Sequence, residues 1–258
     1  IVILHAQIKE TFAQVKEILC MVWGKELDGK TEMDLQKRLP DGMEVCAIGE
    51  LLKTNNSLTK LDLSNNGISN IRPSGMIGMV QSICEGLKTN NTLTELCLGN
   101  NNITDVQSIG DALKTNNTLT ELFLGDNDIT DVQCIGEALK ENNTLTHLGL
   151  NNNNITDVQS IGDGLKTNNT VTTLYLHNNN ITDVQSIGEG LKTNNTLKQL
   201  YLFNNNITDD SGIQSIIDGL KTNNTLKTLA LHNNQLSDNM ISQLKAIEQY
   251  KKDGSNGY

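Results

Sequence analysis

The stretch Leu93 to Thr118, LTELCLGNNNITDVQSIGDALKTNNT, recurs from Leu119, Leu145 and Val171 with no residue inserted or deleted. A longer copy starts at Leu197 and carries three extra residues around Asp210, Ser211 and Gly212. Another starts at Leu58 and carries nine extra from Asn70 to Gly78, and a truncated one begins at Leu226. A 26-residue period of this fidelity fits a quasi-one-dimensional stack, in which each unit buries its apolar face only against its neighbours. Length alone would admit one or two globular domains, and the repeat removes that choice.

Each unit reads as a strand, a turn and a helix. Leu93, Leu96 and Leu98 alternate inward with Glu95, Cys97 and Gly99 on the other side, which predicts a short strand. Ile103 closes the turn. Thr104-Asp105-Val106-Gln107 has capping-box spacing, with Thr104 as the N-cap. Val106, Ile109 and Leu113 form the inner stripe of the helix, and Asn116 and Asn117 end it in left-handed geometry. Strands about 4.8 Å apart make a parallel sheet, the wider helices lie opposite, and the difference curves the array.

The pattern L-x-x-L-x-L-x-x-N-x-I/L resembles the leucine-rich repeat family, and the helical second half is most similar to its ribonuclease-inhibitor-like and NLR-like class. The resemblance implies an α/β solenoid: a curved right-handed β-α superhelix with a parallel concave sheet, convex helices and helical caps. It also implies that Asn101 and its equivalents Asn66, Asn127, Asn153, Asn179, Asn205 and Asn234 stack inside the turn and satisfy backbone groups there. Near-identical Asn-rich repeats without cysteine caps also resemble small leucine-rich repeat effectors of intracellular bacteria.

Three parts follow along the chain. Residues 1–41 are expected to form a helical N-terminal cap. Ile8, Phe12, Val15, Leu19, Val22 and Trp23 recur at helical spacing there, and Thr31 to Leu39 is a second short helix stopped by Pro40. Residues 42–236 hold a half unit plus seven units, since Val45, Ile48 and Leu52 align with Val106, Ile109 and Leu113. Residues 237–258 are a capping helix, Ser237 to Lys252 with a Met240, Ile241, Leu244, Ile247 stripe, and a disordered tail from Asp253.

Composition narrows the function. Formal charge is −10, and the only arginines are Arg38 and Arg72, which argues against nucleic acid and admits a basic protein partner. No stretch has the run of apolar residues that a membrane span needs. Five cysteines at no metal-ligand spacing read as reduced thiols. Eleven N-x-S/T sequons, Asn102-Ile103-Thr104 among them, fall at tight turns where glycans would be disruptive. The expected compartment is therefore a cytosol, including a host cytosol after secretion by a bacterium, and the expected state is a monomer.

The copies differ in chemistry at three positions, the third, fifth and seventh, which point outward from the strand. The third-position column holds Glu95, Glu121 and His147; the fifth holds Asp62, Phe123, Tyr175 and Tyr201; the seventh holds His177, Phe203 and His232. Four of the chain's eight aromatic residues collect there. Packing leaves these positions free, but freedom alone does not favour aromatics, and exposed Tyr and Phe on one face is the composition of a protein-binding hot spot. The face is polarised, acidic at Asp62, Glu95 and Glu121, and aromatic from Tyr175 to His232.

No catalytic constellation accompanies it. Glu121 and His147 share a column without a nucleophile beside them, the histidines are too dispersed for one metal, Cys97 lacks a basic neighbour, and no phosphate loop is present. The expectation is a non-catalytic, cofactor-free module that recognises a protein, a basic partner or an enzyme, through its concave face and sequesters or inhibits it. The alternative is a recognition or adaptor fragment of a larger signalling or ubiquitin-ligase assembly.

Overall fold

The computed structural model describes residues 20–21, 24–25, 29–39, 42–70, 78–208 and 211–254. Eight three-residue strands form one parallel sheet in chain order: β1 (Glu32–Asp34), β2 (Lys60–Asp62), β3 (Glu95–Cys97), β4 (Glu121–Phe123), β5 (His147–Gly149), β6 (Thr173–Tyr175), β7 (Gln199–Tyr201) and β8 (Thr228–Ala230). A helix follows each: α1 (Gly42–Leu52), α2 (Met79–Leu87), α3 (Gln107–Thr115), α4 (Gln133–Leu139), α5 (Gln159–Leu165), α6 (Gln185–Thr193), α7 (Ser211–Thr222) and α8 (Asp238–Gly254).

One hydrophobic core runs the length of the stack, from Met33 to Leu244. Leu93, Leu96, Leu98, Ile103, Val106, Ile109 and Leu113 are each at most 1% exposed, as the inward pattern requires. The turn asparagines do what the resemblance implied. Asn127 Nδ2 donates to the carbonyls of Leu98, Leu124 and Gly125 at 3.0, 3.1 and 3.2 Å, and its Oδ1 accepts the Ile103 N–H at 3.0 Å. Each such residue ties its own unit to the one before it.

A second asparagine column closes the other end of the helix, by a different mechanism from the one expected. Asn116 sits at φ −74°, ψ 129°, which is extended and not left-handed. Its Nδ2 donates back to the Leu87 and Asn90 carbonyls, and its Oδ1 accepts the N–H groups of Thr118 and Leu119. The left-handed residues are instead those leaving each strand, such as Asn100 at φ 50° and Asn152 at φ 53°. Asn tolerates that region better than most side chains.

The helix start also differs from the capping box. Helix α3 opens at Gln107 with Val106 in the cap position and no side-chain bond from it. The Asp105 carboxylate accepts the Gln107 N–H at 2.8 Å, and Asp131, Asp157 and Asp183 repeat the contact. A carboxylate suits the positive end of a helix better than the Thr104 hydroxyl does.

The largest correction is at the start of the array. Residues 31–39 are not a helix: Glu32–Asp34 is a strand, in register with Lys60–Asp62. Met33 and Leu35 alternate inward at 6% and 0% exposure. Asn66 Nδ2 reaches the Leu35 carbonyl, and its Oδ1 accepts the Arg38 and Leu39 N–H groups, so this strand is bonded like every later one. Helix α1 thus has its own strand ahead of it and is not a lone half unit. At the other end, α8 runs through Gly254, two residues beyond the expected stop, with Leu244 buried and Met240 packed against the core. Most of the expected N-terminal helix that carries Ile8 to Trp23, Trp23 included, and most of the Asn70–Gly78 insertion lie outside the described residues.

Candidate protein-binding face

Strand pairing places the variable residues in true columns. Lys60, Glu95, Glu121, His147, Thr173, Gln199 and Thr228 face one another in turn, as do Asp62, Cys97, Phe123, Gly149, Tyr175, Tyr201 and Ala230. Because the sheet is parallel and unshifted, identical positions of neighbouring units stand one strand spacing apart, which is the stacking distance of aromatic rings.

The aromatic half is a contiguous cluster of two rows. Tyr175 and Tyr201 stack at 5.0 Å between centroids and 9° between planes. In the next row, Phe203 lies between two imidazoles, His177 at 4.3 Å and His232 at 4.6 Å, both nearly parallel to it. Edge contacts of His177 with Tyr175 and Tyr201, at 6.1 and 6.3 Å, join the rows. Stacking between strands occupies the ring faces and turns ring edges outward. Five of the ten expected site residues are thereby in direct contact with one another. Burial raises the Tyr175 phenol's pKa and lowers that of the His177 imidazole, whose Nδ1 is buried without a hydrogen-bond partner among the described residues.

The acidic half is larger than the sequence reading made it, and partly neutralised. Glu32 and Asp34 extend its columns by one strand. Lys60 lies 3.1 Å from Glu95 and 3.9 Å from Glu32, and Asp62 is occupied by the Ser64 N–H and the Gln36 side-chain amide. Glu121 remains beside Glu95 in the register. The signal for Glu32 and Asp34 was Met33-Asp34-Leu35, which is Leu61-Asp62-Leu63 with one leucine exchanged.

Phe123 stands apart from the aromatic cluster, its Cδ1 2.9 Å from where a Cβ on Gly149 would sit. Gly149 and Thr173 are buried although their positions point outward. His147 faces Glu121, and its Nδ1 is 2.9 Å from the Thr146 hydroxyl. The Cys97 thiol is pushed up to about 12, by burial first and then by Asp62 and Glu95, which makes it a poor nucleophile. Among the described residues, no three His, Cys, Asp or Glu side chains are grouped to hold a metal ion.

The sequence family described as Leucine Rich repeat matches residues 54–71, 89–106, 115–132, 141–158 and 193–214. With these repeats matched and eight parallel strands alternating with helices, the fold is a leucine-rich repeat solenoid, which is generally a protein-binding module. Among solved structures, an internalin (inlF) from Listeria monocytogenes is similar at TM-score 0.54 and 19% identity, over 82% of this chain and 56% of that one. An internalin C2 from the same species is similar at TM-score 0.52 and 18% identity, over 83% of each chain. The ectodomain of an Arabidopsis thaliana membrane receptor kinase, solved in complex with Casparian strip integrity factor 2, is similar at TM-score 0.52 and 19% identity, over 80% of this chain and 24% of that one. These likenesses concern the fold. No curated protein matches the chain by sequence. Among the described residues, no helix is long and apolar enough to cross a membrane.

Proposed function

We propose that the protein binds one protein partner across its concave face, catalyses nothing on it, and acts by sequestering or inhibiting it. The observation that carries this reading is the stacked cluster of Tyr175, His177, Tyr201, Phe203 and His232, set on a rigid sheet beside the Glu95 and Glu121 columns. Rigid aromatic side chains supply contact area at low entropic cost. A basic segment of the partner lies against Asp62, Glu95 and Glu121, and an apolar group is buried against Tyr201 and Phe203. The ribonuclease-inhibitor-like resemblance supports sequestration, and the eleven sequons support a cytosolic setting, with a translocated bacterial effector as one form of it.

The test is capture of partners from host and bacterial cytosolic lysates by the intact protein, against Tyr175→Ala/Tyr201→Ala/Phe203→Ala. A partner lost with the triple variant is the expected outcome, and its activity is then assayed with and without the protein. A partner retained by the variant refutes the concave site.

A further inference from the structure

Along the exit of each strand, the left-handed asparagines form a ladder of side-chain amides. Asn100 Nδ2 donates to Asn65 Oδ1 at 2.5 Å, Asn204 to Asn178 at 2.5 Å and Asn233 to Asn204 at 2.7 Å, and Asn178 donates to Asn152 in the same sense. In each rung the later residue donates to the earlier one. The fourth strand breaks the series, because residue 126 is Asp, held at φ 56° like its neighbours. A carboxylate has no N–H to give. Asn100 Oδ1 and the Asp126 carboxylate are therefore adjacent acceptors with the rung's proton missing between them.

This break adjoins the acidic columns. Asp126 lies three residues beyond Phe123 at the end of β4, and Glu95 and Glu121 face each other on β3 and β4. The seventh-column positions of these two units are Gly99 and Gly125, with the Asn151 side chain lying over Gly125, while Asp126 itself is exposed. Lys60, the one cation in the three columns, is already engaged by Glu95 and Glu32. A donor from outside thus meets the exposed Asp126 carboxylate at an open rung, in the same unit as Glu121 and beside the aromatic row that holds His177.

Resting on the concave-face reading above, we propose that the occupant is an extended segment of a protein partner whose guanidinium or ammonium group supplies the missing donor at Asn100–Asp126. The same segment places an apolar side chain on His177, Tyr201 and Phe203. The spacing follows from the sheet. From the fourth to the seventh strand is three spacings, about 14 Å, which an extended chain at about 3.3 Å per residue covers in about four residues. The partner carries a basic residue and an apolar anchor about three to five positions apart.

The experiment pans a random dodecapeptide display library on the intact protein. Fluorescence anisotropy of the enriched peptides is then measured on wild type, Asp126→Asn, Tyr201→Ala/Phe203→Ala, and Asp111→Asn, the last removing the same charge from an exposed site on helix α3. Asp126→Asn installs the residue most other units carry, so it folds. The expected peptides hold Arg or Lys at the stated spacing from an apolar residue. Their binding weakens about tenfold or more in Asp126→Asn and less than about twofold in Asp111→Asn. Equal weakening in both reduces the effect to net charge and overturns the inference, as does a failure to enrich any peptide. Peptides indifferent to Asp126→Asn but lost with Tyr201→Ala/Phe203→Ala overturn it and leave the concave site standing. Peptides indifferent to every variant overturn both.

Discussion

Replacing Asn127 by Ala tests whether the turn asparagines hold the array together. The side chain is 7% exposed and makes four bonds, to the Leu98, Leu124 and Gly125 carbonyls and from the Ile103 N–H. The losses are unequal. The Leu98 carbonyl keeps Asn101, the Leu124 carbonyl keeps Asn153, and the Gly125 carbonyl keeps the Asn100 N–H. The Ile103 N–H is left buried with nothing in its place. An orphaned buried donor costs about 1–3 kcal/mol and each lost net bond about 1, so the variant should lose about 2–4 kcal/mol. Asn234 provides the control. It makes equivalent bonds, to the Leu202 and Leu231 carbonyls and from the Ile207 N–H, but is only partly buried near the C-terminal end, where water replaces the amide. Asn234→Ala should cost about 1 kcal/mol or less. Urea unfolding followed by circular dichroism measures both. Hydrogen exchange at the Ile103 amide locates the loss between the third and fourth strands' units, which matters because repeat arrays need not unfold in one step. Equal losses in the two variants, or unchanged protection at Ile103, would refute the reasoning.

Three further outcomes are expected. Gly162→Ala puts a Cβ 2.3 Å from the Ser186 carbonyl carbon and 2.5 Å from its oxygen, so helices α5 and α6 must separate. It should lower stability by about 2 kcal/mol or more despite alanine's better helix propensity, and an unchanged melting temperature would refute it. His177 is held below its ordinary pKa by burial, with Asp126 opposing. The unfolded chain therefore takes the proton first, and stability present above the ordinary imidazole value falls as pH drops through the lowered one. His177→Phe keeps a ring on Phe203 and should flatten the change in melting temperature between pH 7.5 and 5, whereas an unaltered pH profile would exclude the imidazole as its source. Glu121→Gln should raise stability by a few tenths of a kcal/mol while weakening partner binding, read by melting temperature and affinity together.

What the sequence showed and what it hid follow from the kind of contact involved. The inward leucines were legible because burial repeats at strand and helix periods. The asparagines were legible as a column, but Asn116 was given the wrong role. Its work is done through hydrogen bonds to Leu87 and Asn90, one unit away. Thr104 was preferred over Asp105 as the cap because both residue types accept such bonds, and only the backbone path decides. Strand β1 was missed since Thr31 to Leu39 read alone suits a helix; the neighbour that makes Met33 and Leu35 a strand is β2. The columns were read correctly from the differences between copies. That their aromatics touch in two rows depended on the sheet being unshifted, and Glu32 and Asp34 were hidden by the same error that hid their strand.

The acidic columns are best explained by something outside the fold. In-register like charges on adjacent strands destabilise a sheet by about 0.2–1 kcal/mol a pair, and this sheet has two such pairs, Asp34 with Asp62 and Glu95 with Glu121. Part of the cost is offset locally, at Lys60 and at the Gln36 amide. Lys60 is in contact with Glu95 and Glu32 and acts on Glu121 through its longer-range charge, and neither offset involves Asp126. The aromatic half is different, because its ring pairs contribute about 0.5–1.5 kcal/mol each to the fold itself. A surface shaped by stability alone would extend the stabilising columns and neutralise the repelling ones. Here the like-charged pair Glu95 and Glu121 is retained, and the aromatic rows begin two strands further on. Both halves are accounted for together when one partner spans them, with opposite charge at one end and apolar surface at the other.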